Sequence, residues 1–140
     1  MKLLRNNFQL LMKNLVVGVL IVFSFASCKK DKDTSPSIPI EGVYTGKYGL
    51  DNDTPDTDQK YNIKAGGIFQ EIGVNSGAVV GEGTWQSNGN NFTATYTIVW
   101  APFSKYSVSA TFDPATGKLT GTWGYDNSPS DGGKIDMTRL

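Results

Sequence analysis

The amino-acid sequence predicts an all-β protein: an eight-stranded antiparallel up-and-down barrel after an N-terminal signal peptide and linker. Three observations predict it. Apolar and polar residues alternate with period two over most of the chain beyond residue 40, the mark of strands with one buried face. Sixteen glycines are spread without a period through 140 residues, which implies many turns. Once the N-terminal apolar run is set aside, no segment carries a helical stripe with caps.

Composition narrows the function classes. Hydrophobic residues make up 39% and charged residues 19%, enough apolar matter for a core and too little charge for a disordered chain. The formal charge is zero overall, but from Cys28 onward ten basic residues face thirteen acidic ones, a net of −3. A weakly acidic body argues against nucleic acid as a partner. Histidine is absent and Cys28 is the single cysteine. That removes the usual general base, the commonest metal ligand and any intramolecular disulfide. The expectation is a protein that is not an enzyme.

The first residues read as an address. Lys2, Arg5 and Lys13 precede an apolar run over residues 15–26, of signal-peptide length and too short to span a bilayer comfortably. The run ends in Phe25-Ala26-Ser27-Cys28. Small residues before a lone cysteine resemble the lipobox of bacterial lipoproteins, with Phe25 where Leu or Val is usual. The resemblance implies a signal peptide over 1–27 and lipidation of Cys28. It also implies a place in the cell envelope of a Gram-negative bacterium, on the outer membrane, with the lipid anchor as the membrane contact. The other readings are a plain secretory signal with an incidental cysteine, or an uncleaved anchor helix. Lys29-Lys30-Asp31-Lys32-Asp33 is either a surface-export signal or a solvated spacer. Residues 28–40, with Pro36 and Pro39, form the linker to a domain over 41–140.

Eight strands are expected in that domain, over residues 41–50, 60–65, 67–73, 78–86, 91–101, 105–113, 118–125 and 133–139. The clearest places Phe92, Ala94, Tyr96, Ile98 and Trp100 on one face and Thr93, Thr95 and Thr97 on the other. The sixth and seventh repeat the pattern, with Tyr106, Val108, Ala110 and Phe112, then Leu119, Gly121, Trp123 and Tyr125, on the apolar face. Threonine and serine on the outer face exclude a transmembrane barrel, whose exterior is apolar. Consecutive strands with short links pair as antiparallel neighbours, and closing eight of them removes the exposed edges.

Link lengths alternate. If the first strand runs upward, links 51–59, 74–77, 102–104 and 126–132 lie at the top, and the tight turns 65–66, 87–90 and 114–117 lie at the bottom. The top is therefore the expected mouth, and the chain enters at the floor. Tyr48, Tyr61, Ile72, Trp100, Tyr106, Trp123 and Tyr125 fall near the mouth, with Trp85, Phe92 and Phe112 near the floor.

Gly42-Val43-Tyr44, Gly83-Thr84-Trp85 and Gly121-Thr122-Trp123, set in an eight-strand meander, resemble the lipocalin-like and avidin-like barrels of the calycin group. No family ligand contact transfers to a residue here. The spacing of about forty residues has two explanations: a repeat of strand units, or glycines at barrel corners beside end-plugging aromatics.

The expected ligand site is the mouth, with Tyr48, Tyr61, Trp100, Tyr106, Trp123 and Tyr125 as aromatic wall and Gln70 as the inward polar residue. Glu71 is expected to face solvent, and so not to pair with Glu82. Asp51, Asp53, Asp56 and Asp58 form the densest acidic cluster. An EF-hand would need glycine in place of Asp56 and an acid in place of Asn62, which leaves a weak, looser calcium site or a solvated hairpin tip. Asp126, Asn127 and Asp131 lie at the same end. The leading expectation is a binding module for a small apolar or aromatic ligand. The alternative is a filled barrel used as a protein-interaction scaffold or envelope inhibitor through its acidic top loops.

Overall fold

A computed structural model describes residues 37–140. The expectations for the signal peptide, for lipidation of Cys28 and for the linker up to Pro36 lie outside the described residues. Within them the chain forms eight strands: β1 Gly42–Tyr48, β2 Thr57–Lys64, β3 Ile68–Ile72, β4 Val79–Asn88, β5 Asn91–Ile98, β6 Ala101–Asp113, β7 Lys118–Tyr125 and β8 Gly133–Arg139. Each pairs antiparallel with its neighbours in sequence, and β8 pairs with β1, so the sheet closes into a barrel in the order β1 to β8. Closure leaves no strand edge open.

The expected alternation accounts for the core. Phe92, Ala94, Tyr96 and Ile98 of β5 are buried, as are Val108, Ala110 and Phe112 of β6 and Leu119 and Trp123 of β7. Tyr44, Tyr61, Ile63, Phe69, Ile135 and Met137 complete the interior. Burying a large apolar side chain contributes about 1.5–3 kcal/mol, so this interior is the main force holding the barrel shut. Tyr44 packs edge-on to Phe112 at 6.5 Å, and Phe69 lies 6.2 Å from Phe92. The lower barrel is filled.

The chain enters at the floor. Ile38 and Ile40 pack against the core, the Ile38 N–H donates to the Pro114 carbonyl at 2.9 Å, and the Tyr44 hydroxyl donates to the Ile40 carbonyl at 2.7 Å. Burial pushes the Tyr44 hydroxyl pKa up to about 12. The residues just before β1 therefore act as a plug.

Two of the repeated glycines have a local cause. Gly83 and Gly121 face inward opposite Tyr96 and Ala110. A Cβ there would run into the Thr95 carbonyl and Tyr96 Cα, or the Ser109 carbonyl and Ala110 Cα. The sheet coils so tightly at these points that one backbone lies over the next.

The fifth hairpin differs from expectation. β5 ends at Ile98, the turn is Val99-Trp100, and β6 starts at Ala101, so residues 102–104 lie within a strand rather than a link. The register jumps from Thr97↔Lys105 to Ile98↔Ala101. Pro102 sits in the resulting bulge, where no ladder N–H is required of it.

Candidate functional site

At the opposite end from Ile38 the filling stops. A cavity of about 150 Å³ opens there, lined by Tyr48, Gln59, Tyr61 and Glu71 and by Tyr96, Ile98, Tyr106 and Trp123. The links at this end are 49–56, 73–78, 99–100 and 126–132. The mouth thus lies where the longer links led it to be expected.

Strand register delivers each lining side chain. Tyr61 of β2 stands opposite both Tyr44 of β1 and Glu71 of β3. Tyr96 of β5 stands opposite Tyr106 of β6, and Tyr106 opposite Tyr125 of β7. Residues paired across a ladder share a face, so this chain of pairs gathers aromatic rings on the inner wall. Tyr96 and Tyr106 stack at 5.5 Å, and Tyr106 lies 6.0 Å from Trp123. Trp123 in turn meets Tyr48 edge-on at 5.6 Å. Its indole N–H donates to the Gly49 carbonyl at 3.0 Å, which ties β7 to the end of β1 and holds the ring in place.

The polar part of the site is Glu71 with its neighbours. Gln59 Nε2 donates to Glu71 Oε1 at 3.2 Å and lies 3.4 Å from the Tyr61 hydroxyl. The Tyr96 hydroxyl is close enough to Glu71 and Tyr61 to perturb both. Burial pushes the Glu71 carboxyl above the usual carboxylate range, opposed by hydrogen bonds from Gln59 and Tyr96. Burial also raises the Tyr61 and Tyr96 hydroxyls, and each is raised further by the Glu71 charge. Tyr106 is raised mainly by burial. The tyrosines are therefore neutral donors at ordinary pH.

Of the seven mouth residues expected from sequence, Tyr48, Tyr61, Tyr106 and Trp123 line the cavity. Tyr125 sits at the rim, 48% exposed, 5.4 Å from Trp123. Trp100 does not belong to the site. It occupies the β5–β6 turn and is 78% exposed, because the strand ended before the alternation could carry it inward.

Gln70 is also misplaced by the sequence reading, and Glu71 with it. In the β2–β3 ladder Ile63 faces Phe69 and Tyr61 faces Glu71, which puts Phe69 and Glu71 inside and Gln70 outside. Gln70 is buried on the outer face, receiving Asn62 Nδ2 at 3.4 Å and donating to Glu82 Oε2 at 2.7 Å. The segment Ile68-Phe69-Gln70-Glu71-Ile72 offers two isoleucines on one face and one phenylalanine on the other. A phenylalanine ring buries more area and packs on other rings, and here Phe69 meets Tyr61 at 4.9 Å and Tyr96 at 5.1 Å. Ile72 is buried but outside the core cluster, beside the β3–β4 bulge. Glu71 and Glu82 lie on opposite faces of the sheet and do not form a carboxylate pair.

Gln59, Glu71, Tyr96 and Ile98 join the site without having been singled out for it. Tyr96 and Ile98 were legible as inward-facing from their alternation. Gln59 was assigned to a link, whereas β2 begins at Thr57.

The four aspartates do not gather. Among the described residues no group of three or more His, Cys, Asp or Glu side chains is placed to hold a metal ion. Asp58 instead pairs with Lys47 at 2.9 Å, and Asp56 accepts from the Thr57 hydroxyl at 3.0 Å. Asp51 is held in the left-handed region with φ 51°, its N–H donating to the Gly132 carbonyl at 2.9 Å. Asp131 accepts from the Tyr125 N–H at 2.8 Å, and Asn127 from Lys105 Nζ at 2.8 Å. These side chains shape the top loops.

No protein-family model, curated protein or solved structure matches this chain.

Proposed function

We propose that this protein is a non-enzymatic binding module, tethered to the outer membrane of a Gram-negative bacterium through a lipidated Cys28, that holds one small, partly apolar molecule in its mouth. One observation carries the reading. The barrel is filled from its floor to its middle, yet leaves a cavity where five aromatic residues converge. Its volume suits a benzene-sized group or about five waters. A concave, mainly aromatic wall with a few convergent polar groups is the usual form of a small-molecule site. Among the described residues the chain enters at the floor, the end of the barrel opposite the mouth.

Native mass spectrometry of the protein after incubation with envelope extract tests this. The expected result is a reproducible added mass that disappears on denaturation. An unchanged mass with the fold intact would remove the carrier reading. For the anchor, Cys28→Ser is expected to release the protein from the membrane fraction, and a variant that still pellets with the envelope would refute lipidation.

A second reading has its own support. Leu50, Val74, Val99, Trp100 and Tyr125 are large, exposed and all at the mouth end. Such a rim fits docking of an envelope protein over the mouth. Crosslinking from position 99 in the cell is then expected to capture one defined protein, and loss of that product in Trp100→Ala would mark the ring as its contact.

A further inference from the structure

Resting on the binding-module reading above, we propose that the mouth cavity takes a small organic cation, an alkylammonium or quaternary ammonium group, held among aromatic rings against the Glu71 carboxylate. The lining is chemically one-sided. Tyr48, Tyr61, Tyr96, Tyr106 and Trp123 supply rings, and Glu71 is the one charged side chain of the wall. Neither Lys nor Arg lines it. Aromatic faces carry partial negative charge and attract cations within about 6 Å.

Glu71 is partly buried and has no ion-pair partner among the described residues. Its hydrogen-bond donors, the Gln59 amide and the Tyr96 hydroxyl, are both neutral. The ion pairs among the described residues are Lys47–Asp58 and Lys118–Asp136, both made by exposed side chains on the outside of the barrel. A carboxylate withdrawn from water without a cation is costly, and an ammonium guest supplies the missing charge. An anionic guest meets the same carboxylate as repulsion. A neutral guest of equal size leaves Glu71 unpaired. The cavity, at about 150 Å³, has room for a head group of about six non-hydrogen atoms, with any longer substituent leaving past Tyr125 at the rim.

The charge logic couples binding to pH. The groups facing Glu71 are Tyr61 and Gln59 on β2, Tyr48 on β1, Tyr96 on β5 and Tyr106 on β6, and its β4 neighbour Gly81 has no side chain. None of them is a lysine, arginine or histidine. Burial favours the protonated carboxyl, whereas a cation bound beside it favours the carboxylate. Cation affinity therefore falls as the pH is lowered and Glu71 takes up its proton.

The test is calorimetric titration of the full-length protein with choline and with neohexanol, its uncharged isostere, at neutral and mildly acidic pH in amine-free buffer. Choline is expected to bind at least about tenfold more tightly than neohexanol. Glu71→Gln is expected to abolish that preference by weakening choline, and acidification to weaken choline in the wild type. Neohexanol binding as tightly as choline would overturn the cation assignment and leave the binding-module reading standing. A folded protein that binds none of choline, neohexanol and propylammonium would also overturn the cation assignment, while the binding-module reading falls only to an unchanged mass in the mass-spectrometric test. If Glu71→Gln does not fold, the wild-type pH series decides, since a pH-independent choline affinity refutes the role given to Glu71.

Discussion

Glu71 stands directly opposite Tyr61 in the β2–β3 ladder, so a carboxyl group and a fully buried phenol share the inside of the barrel near its mouth. Gln59 reaches both. The arrangement confines the one acidic group of the cavity between uncharged donors, and burial raises its pKa from the ordinary 4.5.

A pH-dependent stability follows from that confinement. For a group whose folded pKa is raised, stability is fullest below the unfolded value and is lost as pH rises through the folded one. Glu71 therefore favours the fold most below its ordinary 4.5 and weakens it at neutral pH. Glu71→Gln keeps the shape without the charge, so its stability relative to wild type is expected to be greater at neutral than at acidic pH. Urea denaturation at both, in phosphate rather than an amine buffer, checks the sign. A larger relative gain at acidic pH would count against burial as the cause.

Trp123 combines core packing with a hydrogen bond that spans β7 and the end of β1. Trp123→Ala is expected to cost about 3–5 kcal/mol. Trp123→Phe should cost less, with about 1 kcal/mol of it from the lost N–H donor. Denaturant midpoints at constant slope would measure both, and an alanine loss below about 1 kcal/mol would mean that the ring is not core.

Gly83 and Gly121 test the close approach of neighbouring strands. Gly83→Ala places a methyl group against the Thr95 carbonyl and Tyr96 Cα. The expected cost is about 1–3 kcal/mol of overpacking strain, with the same for Gly121→Ala. A neutral thermal shift for either would show that the ladder can open there without penalty.

Trp100 provides the contrast. At 78% exposure its replacement by alanine is expected to change stability by no more than about 0.5 kcal/mol. Ligand affinity at the cavity should be unaltered in the same variant. A marked loss of small-molecule binding in Trp100→Ala would return this residue to the site.

The architecture was legible because it rests on local signals. Period-two alternation in residues 91–98, 105–113 and 118–125 marks the inner face without reference to any partner strand. Compact turns such as Ser-Asn-Gly-Asn and Asp-Pro-Ala-Thr-Gly-Lys separate the strands. Tyr48, Tyr61, Tyr106 and Trp123 could be assigned to one end from strand direction alone. The residues read wrongly lie where that locality fails. Trp100 continues an alternating run but lies in the turn, and the bulge at Pro102 has no distinctive sequence mark. β3 is five residues long and apolar on both faces, so its own pattern does not say which face is inside.

By itself, then, the sequence determined the strand succession, the antiparallel meander, the closed barrel and the end at which an opening would lie. These follow from hydrophobic period and turn chemistry, which are properties of short stretches. Tertiary structure decided the orientation of β3, the exclusion of Trp100 and Gln70, and the entry of Glu71 into the cavity. It also decided how far the aromatic side chains fill the barrel. The physical reason is register: a one-residue shift exchanges the two faces of a strand. For β3 that choice was made by Phe69 packing against Tyr61 and Tyr96 from other strands.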